Sequence, residues 1–110
     1  MVAIPFRALA LALAPCLAPA LAHAVETATP QQGLALARER CSFCHGVEYS
    51  DEFSSNPLAP TFQMIADTPG MTATALSVTL RSSHQVMPDL MLSSEEIAAL
   101  SAYLETLKGE

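Results

Sequence analysis

Three residues of this chain stand at a spacing that can do chemistry. Cys41-Ser42-Phe43-Cys44-His45 places two thiols three positions apart, with an imidazole directly after the second. On one helical turn, two such thiols can each add to one of the two vinyl groups of a haem. The histidine that follows then lies beneath the porphyrin and offers a nitrogen to the iron. A bare Cys-x-x-Cys could instead be a redox disulfide, but that chemistry expects a βαβ setting. Half of a zinc site would expect a second cysteine pair, and His23 and His84 stand alone. Two cysteines that merely pack would not need the attached histidine.

A closed haem site needs a second axial ligand, and a thioether there raises the reduction potential. Met87 is followed by Pro88, which would stiffen a loop between two helices. Met91 stands four positions further on and competes with it, and His84 would give a bis-histidine haem. Met64 and Met71 read as flexible core fillers.

The first 24 residues read as a secretory signal peptide. Arg7 lies near the start, an Ala/Leu run follows over residues 8–14, and Ala22-His23-Ala24 offers a small-x-small cleavage site. Pro15 and Pro19 interrupt the apolar run before it reaches the roughly 20 residues a membrane helix needs. Cys16 follows Pro15, an unfavourable setting for lipoprotein processing, and reads as an apolar residue of the removed peptide. The expected product begins at Val25 and resides in the periplasm. Its charge is -7, because Arg7 leaves a chain whose formal net charge is -6. That balance excludes a basic nucleic-acid face and a polybasic membrane anchor. The sequence has no Trp and few other aromatic residues. A large buried prosthetic group would supply apolar mass that so small a core lacks.

The elements that must position these residues read as helices, and no stretch shows strand alternation, so the expected class is all-α. Residues 25–30 form a polar lead-in, and the domain spans 31–110. A first helix is predicted over 31–44, with Gly33, Ala37, Cys41 and Cys44 on one face. Residues 46–60 are rich in Ser, Asn and Pro and read as a loop. Thr61 caps a short helix to residue 67 with Phe62 and Ile65 inward, and Pro69-Gly70 ends it. Thr72 caps a third helix over 73–82 whose apolar side holds Ala75, Leu76, Val78, Thr79 and Leu80. Ser93-Ser94-Glu95-Glu96 is a capping box. It opens a last helix with Ile97, Leu100, Tyr103, Leu104 and Leu107 on one stripe, closed by Lys108 and Gly109.

Together these motifs resemble the class I monohaem c-type cytochromes, especially the short bacterial ones. The resemblance is carried by Gly33-x-x-Leu36-Ala37-x-x-x-Cys41-x-x-Cys44-His45 and by Pro60-Thr61-Phe62. It continues through His84-x-x-Met87-Pro88, Leu92-Ser93 and Leu100-x-Ala102-Tyr103-Leu104. It implies three to four helices around one covalent haem c, with Met87 favoured as the second iron ligand. It also implies that the first and last helices cross, with Gly33 facing Leu100 and Tyr103. A proline carbonyl, of Pro60 or else Pro57, would orient the His45 imidazole. The chain departs from mitochondrial-type members in having Ala37 where they carry an aromatic, and in lacking their propionate-binding Trp. Arg81, or a hydroxyl of Ser82 or Ser83, would replace that Trp, with Thr79 a weaker donor near the methionine sulfur. Their lysine ring is missing too.

The function this implies is one-electron transfer without a transformed substrate. Redox proteins with basic or apolar docking surfaces would be the partners, and no enzyme activity or stable membrane anchor is expected. The alternatives are a haem subunit of a periplasmic dehydrogenase or respiratory complex, and, further off, a haem peroxidase or ligand sensor, which would need an open iron position.

Overall fold

The first helix begins one step earlier than the sequence pattern predicts. Thr29 is its N-cap: its hydroxyl accepts from the Gln32 amide at 3.3 Å, and the Gln32 side-chain oxygen accepts from the Thr29 amide at 2.8 Å. This reciprocal pair satisfies two amides that the helix itself cannot. Pro30 therefore sits at the first helical position, where its missing N–H costs nothing. The polar lead-in does not extend to Pro30.

The structure, a computed structural model, describes residues 27–82 and 87–109. The expected signal peptide, Cys16, Ser83 and His84 lie outside the described residues. Those described form α1 (Pro30–Arg40), α2 (Phe62–Ala66), α3 (Ala73–Arg81) and α4 (Ser94–Leu107). No strand occurs among them, so the class is all-α, and none of their helices is long and apolar enough to cross a membrane.

α1 stops at Arg40 rather than continuing to Cys44. The Ser42 hydroxyl donates to the Arg38 carbonyl at 2.6 Å, and the Cys41 carbonyl accepts from the amides of both Cys44 and His45. Side-chain competition for the last carbonyls converts the end of the helix into tight turns. The other starts follow the sequence. Thr61, Thr72 and Ser93 each cap the helix after them, and Glu96 completes the box on Ser93. Thr68 to Met71 forms a turn with Gly70 at φ 80°, a conformation glycine adopts without strain.

α4 is the hub. α1, α2 and α3 each pack on it and not on one another. Its stripe is buried as the periodicity predicts: Ile97, Leu100, Tyr103, Leu104 and Leu107. α1 lies closest, because Gly33 has no side chain. A Cβ built there would stand 2.0 Å from the Ala99 carbonyl oxygen and 2.7 Å from the Tyr103 Cβ. The facing residues are thus Tyr103, as expected, and Ala99 rather than Leu100. On α3, Leu76 turns inward while Val78 is 61% exposed, outside the apolar side assigned to it.

The end of α4 is held by side chains rather than by a left-handed glycine. Lys108 is extended, and the Gly109 amide donates to Asp67 Oδ1 at 3.0 Å. Gln63 Nε2 bridges Asp67 Oδ2 and the Leu107 carbonyl, and Lys108 Nζ donates to the Met71 carbonyl at 3.1 Å. These bonds tie the chain end to α2 and to the turn after it.

Two outcomes follow. Gly33→Ala gains about 1 kcal/mol of helix propensity. It also drives a methyl into the Ala99 backbone, and overpacking of this kind costs about 1–3 kcal/mol. The denaturant midpoint should fall, and an equal or higher midpoint would contradict the close approach. Asp67 is held below the ordinary carboxylate range, first by Gln63 and then by the Gly109 amide. A depressed folded value means that its share of stability is complete above the unfolded pKa of about 4 and is lost as pH falls through the lower folded one. Asp67→Asn should therefore flatten the acid limb of the stability profile below about pH 4, as read by thermal melts at stepped pH.

Candidate functional site

The turns after α1 set Cys41, Cys44 and His45 on one wall of a cavity of about 590 Å³. That volume is in the range of cofactor sites. α2 and the turn after it add Ile65, Met64 and Met71, α3 adds Leu76 and Leu80, and α4 adds Leu100 and Leu104. Met87 and Pro88 close a further side. Both thiols are free, Cys41 buried and Cys44 half-buried. Burial pushes the Cys41 thiol up, and the neighbouring Arg40 charge offsets part of that rise.

His45 is held from two directions. Its Nδ1 lies 2.7 Å from the Pro60 carbonyl oxygen. A carbonyl can only accept, so Nδ1 carries the proton in this bond, and Nε2 is left as the nitrogen with a free lone pair. The ring meets Phe62 edge-on, with centroids 5.8 Å apart. Pro57, the other proline considered for this role, lines an outer hollow and not the cavity.

The loop between His45 and Pro60 is pinned to the motif by its backbone. The Phe62 amide donates to the Gly46 carbonyl at 2.8 Å, and the Asn56 amide donates to the Cys44 carbonyl at 3.1 Å. The Gly46 amide donates to Ser54 Oγ at 3.0 Å. A Cβ at Gly46 would come within 2.7 Å of the Phe53 carbonyl oxygen, so the chain can close here only with glycine. On the outside, Arg38 makes a two-pronged pair with Glu48, which holds the start of the loop against α1.

α4 reaches the same region through Tyr103. Its hydroxyl donates to the Val47 carbonyl at 2.6 Å across 56 positions of sequence. Burial pushes the phenol pKa up, and the Glu48 charge adds to the rise. Tyr103 thus anchors the residue two places after His45, a role that its place in an apolar stripe did not reveal. Gly46 and Asn56 were also missed. The glycine directly after His45 was a readable sign of a tight closure, whereas the bonds of Tyr103 and Asn56 go to carbonyl groups that leave no mark in a sequence.

The remaining expected residues are placed as follows. Thr79, Met64 and Met71 line the cavity, so neither methionine is solely core filling. Met91 is 86% exposed and lies off the cavity. Arg81 does not line it either: its guanidinium donates to Ser94 Oγ at 3.2 Å. Ser82 donates to the Val78 carbonyl. The cation on the cavity wall is Arg40.

No family model, curated protein or solved structure matches the chain.

Tyr103→Phe leaves the ring in place and strands the Val47 carbonyl, in a residue only 3% exposed. An unsatisfied buried acceptor costs about 1–3 kcal/mol. Chemical denaturation should show that loss, while Tyr49→Phe, at a side chain 76% exposed, should stay within about 0.5 kcal/mol of the parent.

Proposed function

We propose that this chain is a small exported electron carrier in which Cys41 and Cys44 would hold one haem c covalently and His45 and Met87 would bind its iron. The observation that carries the reading is the convergence of two free thiols, an oriented imidazole and a thioether on one apolar cavity. A haem c bound there supplies a one-electron couple between ferric and ferrous iron. The residues of the chain do the rest. The Pro60 carbonyl holds the proton of His45 on Nδ1 and leaves Nε2 as the nitrogen that would face the metal. Met87 supplies a soft sulfur that favours the reduced state. Phe62, Ile65, Leu76, Leu100 and Leu104 keep water from the interior, which favours the less charged form.

The donor set fits this group better than the other uses of two cysteines. The described residues hold no cluster of three or more His, Cys, Asp or Glu that would suit a metal ion alone. The two thiols are unjoined and lie in an all-α setting. Arg81 donates to Ser94 and does not line the cavity, while Arg40 does.

The test is to express the full chain with haem-maturation machinery and record a pyridine haemochrome after acid–acetone extraction. A c-type spectrum that stays with the protein is expected. Extractable haem, or none, would sink the reading. Met87→Ala should remove the methionine–iron charge-transfer band, lower the potential and admit carbon monoxide to the ferrous protein. Met91→Ala should do none of these. Carbon monoxide binding to the parent at neutral pH would instead indicate an open-site haem protein.

A further inference from the structure

Beside the cavity lies a second hollow of about 390 Å³, lined by Glu52, Phe53, Pro57, Leu58, Pro60 and Met64 among others. Its apolar side chains are unusually bare: Phe53 is 83% exposed, Leu58 71% and Met64 62%. Scattered apolar residues on a surface need no explanation, but three large ones around a single hollow do. The charge of the segment that carries them is one-signed. No Lys or Arg occurs between Arg40 and Arg81. The acids of that stretch are Glu48, Asp51, Glu52 and Asp67. Glu48 is paired with Arg38, Asp51 accepts from the Glu48 amide, and Asp67 is held by Gln63 and Gly109. Glu52, on the rim of the hollow, has no such partner.

We infer that this hollow is the docking surface for a redox partner protein that presents an apolar protrusion flanked by lysine or arginine. The inference rests on the electron-transfer reading and names the face that reading would use. Pro60 belongs to both the hollow and the cavity, and its carbonyl holds the His45 imidazole. A partner seated on Phe53 and Leu58 is thus one residue away from the axial histidine. The charge pattern selects among occupants. A basic rim on the partner pairs with Glu52 and meets no cation among the residues that line the hollow. A second copy of this chain would set acid against acid, and an anionic bilayer would find no basic residue in the lining of the hollow to attract it.

The experiment uses the haem-loaded, isotope-labelled protein, with haem content first verified by haemochrome. Unlabelled mitochondrial-type cytochrome c, whose apolar haem edge is ringed by lysines, is the probe. With both proteins ferrous, no net electron transfer occurs and amide shifts report contact alone. Shifts centred on Glu52, Phe53, Leu58 and Met64 are expected. Phe53→Ala and Glu52→Lys should each weaken binding by roughly fivefold or more, a typical loss for a central interface residue. Val78→Ala, at another exposed apolar residue on α3, should leave it unchanged, and added salt should weaken the parent more than Glu52→Lys. Shifts confined to another face, no binding, equal effects of Phe53→Ala and Val78→Ala, or self-association through the hollow would each overturn the inference. A haem-bearing protein that fails in these ways leaves the carrier reading standing. A protein without covalent haem overturns both.

Discussion

At Gly33 the backbone of α1 comes so near the Ala99 carbonyl that no Cβ fits between them. This close approach sets the distance between the first and last helices, and the rest of the structure hangs from it. α4 is the one helix that all others touch. Its position against α1 decides where Leu100 and Leu104 stand as the floor of the cavity. It also decides where the Tyr103 hydroxyl arrives to hold Val47. A glycine costs a helix about 1 kcal/mol of propensity. Here that cost is offset by the burial that close packing permits along the α4 stripe.

The site depends on backbone as much as on side chains. His45 is oriented by a carbonyl, the loop after it is closed by amide bonds at Gly46 and Asn56, and Tyr103 ends on a carbonyl as well. These contacts, with the Ser54 hydroxyl and the Asp51 carboxylate that accept from Gly46 and Glu48, hold the inner face of the loop. This leaves the outer face of residues 48–64 free to display Phe53 and Leu58 to solvent while its inner face stays fixed. The Arg38–Glu48 pair, half exposed, adds little energy to this arrangement and serves chiefly to set the angle at which the loop leaves α1.

Much of this was legible in the residues. The last helix could be read from its capping box and its three-four-three stripe, because both are local. The Cys-x-x-Cys-His turn was legible for the same reason, as was the convergence of Met87 and Pro60 on its cavity once a resemblance supplied the long-range pairing. The errors were also physical. The end of α1 was drawn four residues too far, because periodicity carries no notice that the Ser42 hydroxyl competes for the Arg38 carbonyl. Its start was drawn one residue late, although Thr29-Pro30-Gln31-Gln32 holds the same box chemistry that marked α4. Gly109 was expected to cap α4, but Asp67, 42 positions earlier, draws its amide away, and no local pattern reports that.

The span of the Tyr103–Val47 bond carries a consequence for the order of events as the chain is made. The residue that secures Val47, two places after His45, lies 56 positions beyond it on α4. A chain delivered from its N-terminus presents Cys41 and Cys44 before α4 has formed. Closing so long a loop is also slow compared with forming a helical turn. There is thus an interval, set by the arrival of the last helix, in which both thiols are open to whatever chemistry is to be done on them. In the folded chain Cys41 is only 8% exposed, and that interval has ended. The architecture therefore acts as a clock, since the contact that secures the segment after His45 waits for α4.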